Sequence, residues 1–195
     1  MEQALLYFDT LDIEAQRDRV PDYAPQVARW EWPPWLLLTG FGQQDMLEVS
    51  DTLRAYDPST VPRRDCRAFS QQPFARCYVV FEYEGGPCPI YEEFVFNDEG
   101  IITFIEAWSD LPGMRPHEAD DPWAESPGFP RLSSRIPGLG TPSGEIDLYG
   151  EWMRRAANED EDVADFAERA TDWWTFWYDE LQSSPSDFFA QGCGW

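Results

Sequence analysis

A chain of 195 residues with 43% apolar and 16% aromatic content has room for one domain and an appendage, and carries enough apolar surface for a core. Its 37 acidic residues against 14 arginines leave a formal charge of −23, a field that repels nucleic acid and anionic lipid and makes both poor partners. No lysine is present, which excludes Schiff-base catalysis and a lysine-based phosphate loop.

In chain order, Leu5, Leu6, Phe8 and Leu11 stand near helical spacing and predict an amphipathic helix, with a shorter one following from Ile13. Pro21 and Pro25 then bracket a turn around Asp22 and Tyr23. Ala28 to Thr39, ARWEWPPWLLLT, reads as a strand broken by Pro33 and Pro34, which cannot occupy a central ladder and so mark a bulge, an edge or a bend. Gly40 and Gly42 introduce a helix from about Gln43 to Tyr56, with Met46, Val49, Leu53 and Tyr56 on one stripe and Asp57-Pro58 ending it. Strands follow over Arg63 to Ser70, Arg76 to Glu84, Ile90 to Phe96 and Ile101 to Trp108, separated by turn residues such as Gly85-Gly86-Pro87 and Asn97-Asp98-Glu99-Gly100. Consecutive strands without intervening helices predict an α+β class and a curved antiparallel sheet.

Composition shifts at Leu111. Pro112 to Gly150 is rich in proline and glycine and lacks periodicity, as expected of a segment that wraps a surface or closes a site. Asp160 to Leu181 then places Val163, Phe166, Ala170, Trp173, Trp177 and Leu181 at helical spacing, and this Trp-rich tail predicts a lid or clamp on the main domain or on a second subunit.

The single histidine, His117, lies in the loop-like run RPHEADD. Cys66, Cys77, Cys88 and Cys193 show neither CxxC spacing nor partner histidines, so no metal site is expected and reduced structural thiols are. No cofactor-binding motif stands out. No apolar run approaches a membrane span, and MEQALLYFDT lacks the basic start and long apolar run of a secretory signal, which predicts a cytoplasmic protein without a membrane partner. The acidic surface reads as solubilising and salt-adapted, or as a docking surface for a basic partner.

The order of elements, the proline-bearing first strand, the glycines before the third helix and the run FNDEGIITFIEAWSD together resemble the nuclear transport factor 2-like superfamily, in particular its SnoaL-like and ketosteroid-isomerase-like members. Phe96 to Gly100, Ile101, Ala107, Trp108 and Ser109 stand where the isomerases have a Phe-x-x-x-Gly-x-Ile turn and a strand ending in Ala, an aromatic pair and Ser. The resemblance covers residues 1–115 and leaves 116–195 as a C-terminal extension. It implies a cone in which a curved sheet wraps the N-terminal helices around an apolar pocket.

Strand alternation puts Ile90, Glu92, Phe94 and Phe96 on one face and Tyr91, Glu93 and Val95 on the other. The resemblance implies that Glu92 is a pocket acid that donates to a developing oxyanion and that Tyr7 completes the oxyanion hole. A one-residue slip would make Glu92 a solvated sheet acid, and Tyr7 could equally pack its ring in the core. The isomerase base precedes a proline in the first strand, where this chain has Trp32, with Glu31 expected on the opposite face. In the SnoaL-like cyclases an acid on the final strands takes the carbon-bound proton, and Asp110 is the matching candidate, with Glu106 behind it. Asp110 also fits a strand-end cap.

Two functions follow. One is a cofactor-independent acid–base enzyme of isomerase, cyclase or dehydratase type, acting on a hydrophobic carbonyl-bearing small molecule, with Glu92, Asp110 and Tyr7 as catalytic residues and Trp30, Trp32, Phe94, Phe96 and Trp108 shaping the pocket. The other is a non-catalytic ligand-binding or assembly module, homodimeric through an outer sheet face that carries Phe104 and Trp108. An epoxide hydrolase, which needs an acid–arginine–acid arrangement, finds no suitably flanked arginine in the strands.

Overall fold

The computed structural model describes residues 1–32, 38–40, 42–72, 74–110, 123, 131–139 and 146–172. Helix α1, Glu2–Leu11, leads into strand β1, Tyr23–Trp32, and the short strand β2, Leu38–Gly40. Helix α2, Gly42–Tyr56, is followed by β3, Thr60–Ala68, β4, Ala75–Tyr83, β5, Gly86–Phe96, and β6, Ile102–Ser109. Beyond them lie a 3-10 turn at Leu132–Ser134, α3, Glu151–Glu159, and α4, Glu161–Thr171. The fold is α+β, and the second helix expected from Ile13 is replaced by turns.

One six-stranded sheet runs in the order β2-β1-β6-β5-β4-β3. It is mixed, because β1 pairs in parallel with β6 while every other pairing is antiparallel. Asn97 builds the β5–β6 turn by accepting the Glu99 and Ile101 N–H groups on its Oδ1, and Gly100 supplies the left-handed φ of 77° that closes it. A bulge between Val95 and Phe96 then lets Phe104 face one side of β6 while Ile102 and Ile105 face the other.

Both faces of the central strands β1, β5 and β6 are buried, whereas edge strand β3 is largely exposed. On one, α1 and α2 pack Tyr7, Phe8, Met46, Val49 and Leu53 against Val79, Phe81, Ile90, Phe94 and Ile105. On the other, the extension lays Leu132, Ile136, Met153, Val163 and Phe166 over Ala28, Trp30, Val95 and Phe104. Phe166 meets the rings of both Trp30 and Phe104 at centroid distances of 5.8 Å. The described part of the tail therefore covers the face expected to pair with a second subunit, and α4 ends at Thr171. The tail residues Trp173, Trp177 and Leu181 lie outside the described residues, as do Trp195, His117, Cys193, Pro33 and Pro34.

The reduced-thiol expectation is corrected. Cys66 and Cys77 are direct partners across β3 and β4, with Cα atoms 4.0 Å apart, and are joined by a disulfide. No described cysteine is a free thiol. Among the described residues no helix is long and apolar enough to cross a membrane.

Candidate active site

The site is built on β1. Arg29 and Glu31 are two residues apart and share the face that looks toward α1. Glu31 aligns with Ala107 of β6, and Ala107 with Glu92 of β5, so the two glutamates flank an alanine in one row across three strands. The single methyl of Ala107 leaves room for the Arg29 guanidinium to cross to Glu92. Its Nη1 donates to Glu31 Oε2 at 2.7 Å and its Nη2 to Glu92 Oε1 at 3.2 Å. Side-chain exposure is 4% for Arg29 and zero for both carboxyls.

Such a cluster is costly unless fully paired, and it is not. Glu31 Oε1, Glu92 Oε2 and Arg29 Nε are buried without a hydrogen-bond partner. Burial pushes the Glu31 carboxyl up to about 7, against the pull of Arg29, with Glu92 adding to the rise. Desolvation opposes the Arg29 charge, but Glu31 and Glu92 more than offset it and hold the guanidinium protonated. Burial, reinforced by Glu92, likewise pushes Tyr7 well above the usual phenol range, so its hydroxyl stays neutral.

A cavity of about 30 Å3 opens beside this cluster, lined by Tyr7, Arg29, Glu31, Leu53, Asp57, Ser59, Phe81, Tyr83 and Ile90. Its volume matches a bound water or the leading atoms of a small ligand. Asp57, half-buried at the end of α2, has its carboxyl raised by desolvation. The wall is held firmly: Arg54 donates to the carbonyls of Asp9 and Asp12 at the C-terminus of α1, and Arg64 pairs with Asp9 and Asp12, fixing the helix that carries Tyr7. A wider groove of about 960 Å3 runs along α2, but its acids, Glu48 and Asp51, are exposed.

Glu92 faces the interior, bonded to Arg29 behind the cavity wall. Tyr7 lines the cavity. Phe94 and Phe96 share that face and stack on each other, with Phe94 also meeting the Tyr7 ring at 5.4 Å. Asp110 directly follows β6, where its N–H donates to the Pro89 carbonyl, and it does not line the cavity. Trp30, Trp32 and Trp108 lie on the opposite face: Trp30 against Phe166, Trp32 donating to Glu106 at 2.7 Å, and Trp108 stacked on Tyr91. They cannot shape a pocket bounded by α1. The face assignment of β1 is thus corrected, with Glu31 pointing in and Trp32 out. Arg29, Glu31 and Asp57 complete the cluster; the Arg-x-Glu spacing on a strand was the available signal.

Two more buried acids anchor the extension on the outer face. Glu93 holds Arg76 and Arg131, and Glu106 accepts the Leu132 and Ser133 N–H groups at 2.8 and 3.1 Å, capping the 3-10 turn from across the sheet. Burial, with Glu93 nearby, raises the Glu106 carboxyl.

No family model matches the chain, and no curated protein matches it. Among solved structures, it is similar to a SnoaL-like family protein from Agrobacterium tumefaciens strain C58 assigned as an isomerase, at 17% identity and a TM-score of 0.41, over 57% of this chain and 100% of that one.

Proposed function

We propose that this chain is a cofactor-independent acid–base enzyme on a nuclear transport factor 2-like cone, of isomerase, cyclase or dehydratase type, acting on a small hydrophobic carbonyl compound. The observation that carries the reading is the buried Glu31–Arg29–Glu92 bridge with an unpartnered oxygen on each carboxyl. A carboxyl poised near 7 is suited to both accept and return a proton near neutrality. In the reading, Glu31 Oε1 takes a proton from the carbon next to the carbonyl while the neutral Tyr7 hydroxyl donates to the developing enolate oxygen. Glu31 then returns that proton to another carbon, or to a departing hydroxyl that leaves as water. Glu92 positions Arg29, and Arg29 fixes the Glu31 carboxyl.

A second reading is favoured by the same bridge. An arginine held between two carboxyls is the arrangement an epoxide hydrolase needs, and Arg29 supplies the flanked arginine that β1 did not suggest. There one carboxyl takes a proton from water as it attacks a ring carbon, and the other protonates the opening oxygen. Homodimerisation, in either reading, uses a surface other than the outer face under α4. A disulfide persists where thiols are oxidised, which weighs against the cytoplasmic expectation.

Carboxyl-detected 13C NMR tests the proposal. One glutamate should titrate near pH 7 and vanish in Glu31→Gln, and Glu92→Gln should abolish turnover of any substrate found while leaving the chain folded. If every carboxyl titrates below about pH 5, in the ordinary carboxylate range, the acid–base assignment fails.

A further inference from the structure

We infer that the cavity selects an organic ammonium group, so that the substrate class is a small hydrophobic carbonyl compound that also bears an amine. This rests on Glu31 and Arg29 forming the site. The cavity and the bridge behind it hold one guanidinium against three carboxyls, those of Glu31, Glu92 and Asp57. Arg29 spends Nη1 on Glu31 and Nη2 on Glu92, which leaves Glu31 Oε1 buried, unpartnered and beside the open volume. That oxygen carries two lone pairs, so one can accept from a donor, best a charged one, while the other stays available for the proton taken from carbon.

The remaining wall suits the same guest. Tyr7, Phe81 and Tyr83 contribute aromatic rings, which attract a cation, and Leu53 and Ile90 take its alkyl part. A metal ion is a poor alternative, since among the described residues no group of three or more His, Cys, Asp or Glu side chains could hold one. An anion meets the acids and the surrounding charge of −23.

The groups facing Glu31 are Arg29 on its own strand, Glu92 on β5, Tyr7 on α1, and Tyr83 and Asp57 on the remaining wall. Both tyrosines are held neutral, chiefly by burial. Glu31 changes charge near neutrality, and an ammonium guest drives its proton off. Ammonium affinity rises with pH through about 7.

The test compares butylamine, butan-1-ol and butyrate on the full chain in moderate salt, by calorimetry and by NMR shifts at Tyr7 and Ile90. The amine should bind about tenfold or more tighter than the alcohol at pH 8, as expected for a charge-assisted bond. The preference should shrink by pH 5.5 and weaken in Glu31→Gln; the wild-type pH dependence stands by itself if that variant does not fold. If alcohol or butyrate shifts Tyr7 and Ile90 as strongly as the amine, or the preference ignores pH, the ammonium inference falls and the acid–base site stands. If no ligand moves those residues, the ammonium inference falls, and the acid–base reading is decided by the Glu31 titration alone.

Discussion

Replacing Glu31 by glutamine removes one titration while keeping the side chain's shape. In the folded chain this carboxyl is raised from 4.5 to about 7 by burial, so between those values the folded state holds a proton that the unfolded state has released. Stability must then fall as pH rises through that window, and below it the term vanishes. The difference is worth about 3 kcal/mol, with no solvent discount because the side chain is completely buried. Comparing wild type with Glu31→Gln cancels the self-repulsion of the acidic surface, which affects both alike. Denaturant titrations at intervals from pH 4 to 8 should show the variant gaining on the wild type by about 3 kcal/mol, or about 6–12 °C in Tm for a chain of this size. A stability difference that stays flat over that range would refute the placement of a proton on Glu31.

Other outcomes follow from the packing. Phe166→Ala opens a cavity between Trp30 and Phe104 and should cost about 3–5 kcal/mol, with red-shifted tryptophan emission as the check. Glu106→Gln removes the charge from bonds to Leu132 and Ser133; the cost should be about 1–3 kcal/mol, and limited proteolysis should cut residues 131–172 first. Replacing Cys66 and Cys77 together frees a link spanning 11 positions and should cost about 3 kcal/mol by denaturant titration, with the sheet retained by circular dichroism.

The strands from β3 to β6 were legible because turn residues punctuate them, Gln71-Gln72-Pro73, Gly85-Gly86-Pro87 and Asn97 to Gly100, and period-two alternation groups their side chains by face. Alternation grouped Glu92 with Ile90, Phe94 and Phe96, and the resemblance, not the alternation, implied that this face looks inward. Strand β1 was misread because both of its faces are buried: the extension makes Trp30 and Trp32 as apolar a face as the interior, so hydrophobicity no longer says which side is inside. Period-two counting from Val27 would have put Arg29 and Glu31 together. Helix α3 escaped because its buried contact is Met153 alone and it occupies the short run between the proline- and glycine-rich segment ending at Gly150 and the helix predicted from Asp160. The Cys66–Cys77 pairing depends on cross-strand register, which cysteine spacing alone does not carry.

Proton transfer at carbon is the chemistry assigned to Glu31, and deuterium uptake from D2O measures it without requiring the natural substrate. A panel of small hydrophobic ketones, some bearing an amine, is incubated with the protein and followed by NMR at the carbon next to the carbonyl. Exchange should exceed the buffer rate, rise through about pH 7 and be lost in Glu31→Gln. Exchange no faster than buffer across the panel, or exchange unchanged in Glu31→Gln, would contradict that assignment.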